Sequence, residues 1–178
     1  MAVGASAILL EGPPEPERIN KIFLEEKPTL FFGVPTLFAM LLASDHLPTK
    51  DEHDVRLCIS AGEPLPSDLL ARWQGTFGVD ILDGLGTTEM LHIFVSNRPD
   101  EITPGSTGRV VPGYQIRLIN DNNEVCAPGE MGVLEVSGPS SALMYWGQRQ
   151  KTKDTFKGTW TRTGDNYSIS KKGVMTYG

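Results

Sequence analysis

The chain is poor in the residues that mark extracellular, membrane-spanning or nucleic-acid-binding proteins. It has two cysteines, Cys58 and Cys126, and neither sits in a close cysteine or histidine pair. A disulfide framework and a paired-cysteine metal site are therefore excluded. Acidic side chains outnumber basic ones, 22 against 16, for a net charge of −6, so the basic stripe that a nucleic-acid backbone requires is missing. Apolar runs such as Leu37–Ala43 fall far short of the roughly 20 residues that cross a bilayer. The N-terminus also lacks the basic region of a signal peptide. These absences point to reduced, structural thiols in a cytoplasmic protein with no membrane and no nucleic acid among its partners. There is no Gly-x-Ser-x-Gly elbow, no Cys-x-x-Cys, no His-Glu-x-x-His and no dinucleotide fingerprint. The Ser137–Ser141 loop is not followed by a lysine in P-loop spacing and reads as an ordinary turn.

What remains is a globular composition, 39% hydrophobic and 21% charged. The first hundred residues alternate strand-like and helix-like segments. Ala5–Leu10 reads as a buried strand. A helix opening at Pro14-Glu-Pro-Glu-Arg18 turns Ile19, Ile22, Phe23 and Leu24 inward. Thr29–Phe32 follows as a strand, then a nearly all-round apolar helix from Val34-Pro35, a strand at Arg56–Ser60, and a helix from Pro66 with Leu69, Leu70, Trp73 and Phe77 on its inner face. Val79–Leu82 is the fourth strand. From about Pro104 the pattern changes to short alternating runs between Pro-Gly, Asn/Asp and Gly turns. The expected fold class is α/β: a parallel sheet flanked by helices over residues 1–104, followed by a smaller antiparallel, barrel-like β subdomain over 105–178.

Asp83-Gly-Leu-Gly-Thr-Thr-Glu89 ends the fourth strand with glycines, then hydroxyls, then a carboxylate. Such a layout suits a phosphate and a metal. A tight Gly84/Gly86 turn lets a ligand approach the backbone, Thr87 or Thr88 opens a helix whose first N–H groups face an anion, and Glu89 offers oxygen to a hard cation such as Mg²⁺. The same letters also describe a plain capped helix start.

In an open parallel sheet, ligands bind beyond the C-terminal strand ends. If the third and fourth strands are neighbours, the loop Ser60–Pro66 and the loop Asp83–Glu89 wall one crevice. A flat base could then lie between Gly62-Glu63-Pro64 and Gly84-Leu85-Gly86. Asp165, in Trp160-Thr-Arg-Thr-Gly-Asp165, offers two oxygens matched to a ribose cis-diol, or is a simple Gly-Asp turn. On a helix His92 would share a face with Thr88 and Glu89 and line an acid-binding pocket, although its apolar neighbours equally describe a core histidine.

Taken in order, Gly33-Val-Pro-Thr36, Ser60-Ala-Gly-Glu-Pro-Leu65, Gly84-Leu-Gly-Thr-Thr-Glu89, Gly129–Gly138 and Thr161-Arg-Thr-Gly-Asp165 resemble successive motifs of the adenylate-forming superfamily. Within it, Asp83–Phe94 looks most like the benzoate-CoA ligase group of aryl-CoA ligases. The resemblance implies ATP and an aromatic carboxylate as substrates, an acyl-AMP intermediate, Mg²⁺, and coenzyme A as the acceptor thiol. It implies that Thr88 binds the α-phosphate, Glu89 the metal and Asp165 the ribose. Gly62, Glu63, Pro64, Asp83, Gly84, Leu85, Gly86 and Thr87 would line the nucleotide, with Leu85 where many relatives carry an aromatic residue. Gly84, Gly86, His92 and Ile93 would line the aryl pocket. It further implies that the lysine-bearing phosphate loop would lie before Met1. The hinge and the C-terminal domain with the adenylation lysine would follow Gly178, leaving an isolated chain inactive.

Overall fold

The computed structural model describes residues 3–178. Pro16 and Pro35 stand in the first turns of α1 (Pro16–Glu25) and α2 (Pro35–Leu42), where the missing N–H has no intrahelical partner to lose. Between them runs β1 (Leu30–Gly33). β2 (Leu57–Ala61) and β3 (Ile81–Gly86) flank α3 (Ser67–Phe77), which ends at Gly78 in the left-handed conformation, φ 74°. β1, β2 and β3 are parallel and adjacent. The helices share one core, built around Phe23, Phe38, Leu41, Trp73 and Phe77 and sealed by Cys58 and Ile81 from the sheet.

After a single 3₁₀ turn (Thr88–Met90), β4 (Ile93–Ser96) and β5 (Arg109–Val110) extend the same sheet antiparallel. The first sheet is thus mixed, in the order β1-β2-β3-β4-β5. The second is antiparallel and curled, in the order β10-β9-β7-β6. It is built from β6 (Gln115–Ile119), β7 (Met131–Ser137), β9 (Trp160–Ile169) and β10 (Met175–Tyr177). The short helix α4 (Arg149–Thr155) leads into β8 (Phe156–Lys157), which pairs with β9. A second core joins the two sheets, with Met90, Phe94 and Val95 packed among Leu118, Leu134, Val136, Tyr167 and Met175. Both cysteines are free thiols, and among the described residues no helix is long and apolar enough to cross a membrane.

Two expectations from the sequence are corrected here. Ala5–Leu10 forms no strand: residues 5–9 are exposed and only Leu10 packs on the helical core. An apolar run reads alike whether or not a partner strand covers it. The helix expected after Thr87 is one 3₁₀ turn, because Leu91 takes a positive φ of 72° and the chain enters β4. His92 and Glu89 therefore do not share a helical face.

Candidate functional site

The third and fourth expected strands are neighbours. Ser60 pairs with Asp83 and Ala61 with Gly84 in the parallel register, so the β2–α3 and β3–β4 connections leave the sheet side by side. Glu63 is tied to the first turn of α2, since the Thr36 hydroxyl donates to its carboxylate at 2.7 Å. Gly62, φ 94°, turns the chain here against Val34, and Gly62, Glu63 and Pro64 are all exposed toward the opening.

The glycines of Asp83–Gly86 lie in β3 rather than in a turn. What they provide is room. A Cβ on Gly84 would lie 3.0 Å from Ile93 Cδ1, and one on Gly86 only 2.6 Å from the His92 carbonyl oxygen. Gly84, Gly86, His92 and Ile93 therefore meet across the β3–β4 pair, with the Ile93 side chain over Gly84. His92 itself is exposed, not a core residue.

Asp83 is buried at 5% exposure, and its Oδ1 has no hydrogen-bond partner. Burial pushes its carboxyl up to about 7, against the pull of the Gly84 N–H and the Thr107 hydroxyl. The Ser60 and Thr87 hydroxyl oxygens are likewise buried without partners. Unsatisfied buried polar atoms are costly, and three of them along the ends of two adjacent strands suit a polar ligand.

Glu89 sits on the 3₁₀ turn and is half-buried. The Tyr145 hydroxyl donates to its Oε1, which holds the carboxyl below its ordinary value despite partial burial. A single ionised carboxylate offers oxygen to a hard cation, and among the described residues no cluster of three or more acidic, histidine or cysteine side chains completes a protein-only metal site. Thr88 beside it is exposed. The turn is fixed from behind by the Ser137–Ser141 loop: the Ser140 hydroxyl donates to the Met90 carbonyl at 2.7 Å, and the Ala142 N–H donates to the Glu89 carbonyl at 2.7 Å.

Asp165 lies in β9 at an irregularity opposite Leu134, where Gly164 takes φ 87°. It occupies a bulge, not a free turn, and its N–H donates to the Thr163 hydroxyl at 3.1 Å. Tyr167, two residues further along β9, is buried. Burial first, then the charges of Asp165 and Asp83, push the Tyr167 phenol up to about 12. The Thr107 hydroxyl donates to the Tyr167 hydroxyl at 3.5 Å, so the segment before β5 meets β9 of the second sheet.

Tyr145, Thr107 and Tyr167 carried no signal in the sequence. Tyr145 follows a loop that reads as an ordinary turn, 56 residues from the carboxylate it binds. A cleft of about 550 Å³ between Gly113, Gly138, Leu143 and Thr159 lies on the other side of the Ser137–Ala142 segment that holds the Glu89 turn and is lined by no titratable side chain.

Residues 1–146 match the family model described as AMP-binding enzyme. The chain is 49% identical over 99% of its length to a benzoate-CoA ligase of Thauera aromatica, and 45% identical to a 4-hydroxybenzoate-CoA/benzoate-CoA ligase of Rhodopseudomonas palustris. It spans about a third of the length of these curated relatives, 34% and 33%. Its fold superposes on a crystal structure of a benzoate-CoA ligase from Burkholderia xenovorans with a TM-score of 0.95 and 46% identity, covering 99% of this chain and 36% of that one. For an anthranilate-CoA ligase in complex with anthranoyl-AMP the TM-score is 0.92 at 38% identity, covering 98% of this chain and 34% of that one. On its motifs, its two-sheet architecture and these matches, the chain belongs to the AMP-binding enzyme family.

Proposed function

We propose that this chain forms the adenine, ribose and metal-facing part of an aryl-CoA ligase. The reaction would join an aromatic carboxylate to AMP with release of pyrophosphate, after which the thiol of coenzyme A displaces AMP to form the thioester. The observation that carries this reading is the alignment of Asp83 with Ser60 at adjacent strand ends, with an ionised Glu89 one turn further on. The benzoate-CoA and 4-hydroxybenzoate-CoA/benzoate-CoA ligases that the chain resembles support an aryl acid as the substrate class.

In this assignment Gly62, Glu63 and Pro64 form one wall of the base site. Asp83, Gly84, Leu85, Gly86 and Thr87 form the other. Half-buried Leu85 offers apolar contact to the base. Thr88 presents its hydroxyl to the α-phosphate, and Asp165 accepts from both ribose hydroxyls. Glu89 would hold Mg²⁺, which when bound neutralises phosphate charge. Gly84, Gly86 and Ile93 would form one side of the aryl pocket, with His92 at its exposed rim. These residues supply no nucleophile. Their contribution is alignment of carboxylate and phosphorus and donors fixed before reaction. A cytoplasmic location fits free thiols and the pools of ATP and coenzyme A.

The test is AMP affinity by calorimetry. Asp165→Ala should weaken AMP by about tenfold, the loss of a charge-assisted pair. Equal affinity for both proteins would contradict the ribose assignment, and no AMP binding by the wild type would favour a purely structural module. Since no glycine-rich loop with a lysine occurs among the 178 residues, the isolated chain should show no benzoate-dependent ATP–pyrophosphate exchange.

A further inference from the structure

Glu89 is held at two points, and the second has no counterpart in the motif that contains it. Its backbone is fixed by the Ala142 N–H, and its neighbour Met90 by Ser140, whose hydroxyl also meets the Tyr114 hydroxyl at 2.7 Å. Its carboxylate is fixed separately, through Oε1, by the Tyr145 hydroxyl. Tyr145 is itself anchored: its N–H donates to the Thr152 hydroxyl at 3.1 Å, and that hydroxyl donates to the Gln148 carbonyl at 2.9 Å. Lys151 Nζ stands 4.0 Å from the centre of the Tyr145 ring, on the first turns of α4. The Phe156 ring packs against the other part of the tyrosine, 5.6 Å between centroids.

The phenol thus occupies one carboxylate oxygen, Oε1, and among the described residues no side chain donates a hydrogen bond to Oε2. A carboxylate on a single 3₁₀ turn otherwise rotates about its side-chain torsions, and freezing it costs conformational entropy at the moment a ligand binds. With the hydrogen bond in place that cost is met in folding, and Oε2 is presented in one orientation. This is how an outer-shell donor raises the affinity of a ligating group.

We propose that Tyr145, braced by Lys151 of α4, is a positioning residue that orients the Glu89 carboxylate for the metal–nucleotide complex. The proposal rests on the assignment of Glu89 as the metal-holding residue. It adds a dependence on α4, an element that contributes nothing else to the candidate site.

The test is Mn²⁺ binding in the presence of a non-hydrolysable ATP analogue, followed by electron paramagnetic resonance. Wild type is compared with Glu89→Gln, Tyr145→Phe and Lys151→Met, and AMP affinity in excess chelator is measured alongside. Tyr145→Phe should weaken Mn²⁺ about tenfold, and Lys151→Met should weaken it less, while metal-free AMP affinity stays at the wild-type value for both. A general loosening of the fold would lower both affinities together and would overturn the positioning role. Unchanged or tighter Mn²⁺ binding in Tyr145→Phe would overturn it too, the latter by showing that the phenol competes with the metal. If Glu89→Gln leaves Mn²⁺ binding intact, the metal assignment fails and this proposal with it. If only Tyr145→Phe is silent, the assignment of Glu89 stands and the positioning role is refuted.

Discussion

Replacing Asp83 with asparagine should change how stability depends on pH. Asp83 is 5% exposed, and burial moves its carboxyl from the ordinary 3.8 up to about 7. Between these values the folded protein binds a proton that the unfolded chain does not. The stabilisation is fully present below pH about 3.8 and is lost as pH rises through about 7. The gap between the two values corresponds to about 4 kcal/mol. Asparagine keeps the shape but does not titrate. Urea unfolding of wild type and Asp83→Asn at about pH 4.5 and about pH 8 should therefore show the variant gaining about 3 kcal/mol on the wild type across that interval. Saturating AMP should narrow the gap if a donor from the base pairs with the unsatisfied Oδ1, because such a bond favours the ionised carboxylate. A stability difference that stays constant with pH, within about 0.5 kcal/mol, would refute the claim that Asp83 folds as a buried, protonated acid.

Gly86→Ala should cost about 1–3 kcal/mol in urea unfolding, since its Cβ meets the backbone of His92 and Ile93 rather than a movable side chain. Gly75→Ala, with open space around it in α3, should be neutral or stabilise by up to about 1 kcal/mol. Arg117→Met should destabilise by about 3 kcal/mol, because it strands Glu135, 3% exposed and bonded by Arg117 at 2.7 and 2.9 Å; adding Glu135→Leu should recover most of the loss.

The inner face of α3 was legible because Leu69, Leu70, Trp73 and Phe77 recur at helical spacing and all four are buried. The adjacency of the Ser60–Pro66 and Asp83–Glu89 loops was conditional on neighbouring strands, a tendency of consecutive strands that the β2–β3 pairing fulfils. Ala5–Leu10 misled because composition reports apolarity and not the presence of a cover. Gly84 and Gly86 read as a tight turn open to a ligand, whereas they lie in β3 with no room for a side chain. The crowding atoms belong to His92 and Ile93, at the start of β4, which pairs with β3 only after the chain reverses at Leu91. The grip of Tyr145 on Glu89 depends on the second sheet packing against the first, and no local pattern encodes that.

The most direct measurement of the central claim is amide shift mapping by NMR as AMP is added to the isotopically labelled chain. Perturbations concentrated at Gly62, Glu63, Gly84, Thr88 and Asp165, and needing about tenfold more AMP to reach the same size in Asp165→Ala, are the predicted result. Perturbations confined to the cleft around Gly113, Gly138 and Thr159, or none at all, would contradict the assignment of the nucleotide site to the ends of β2 and β3.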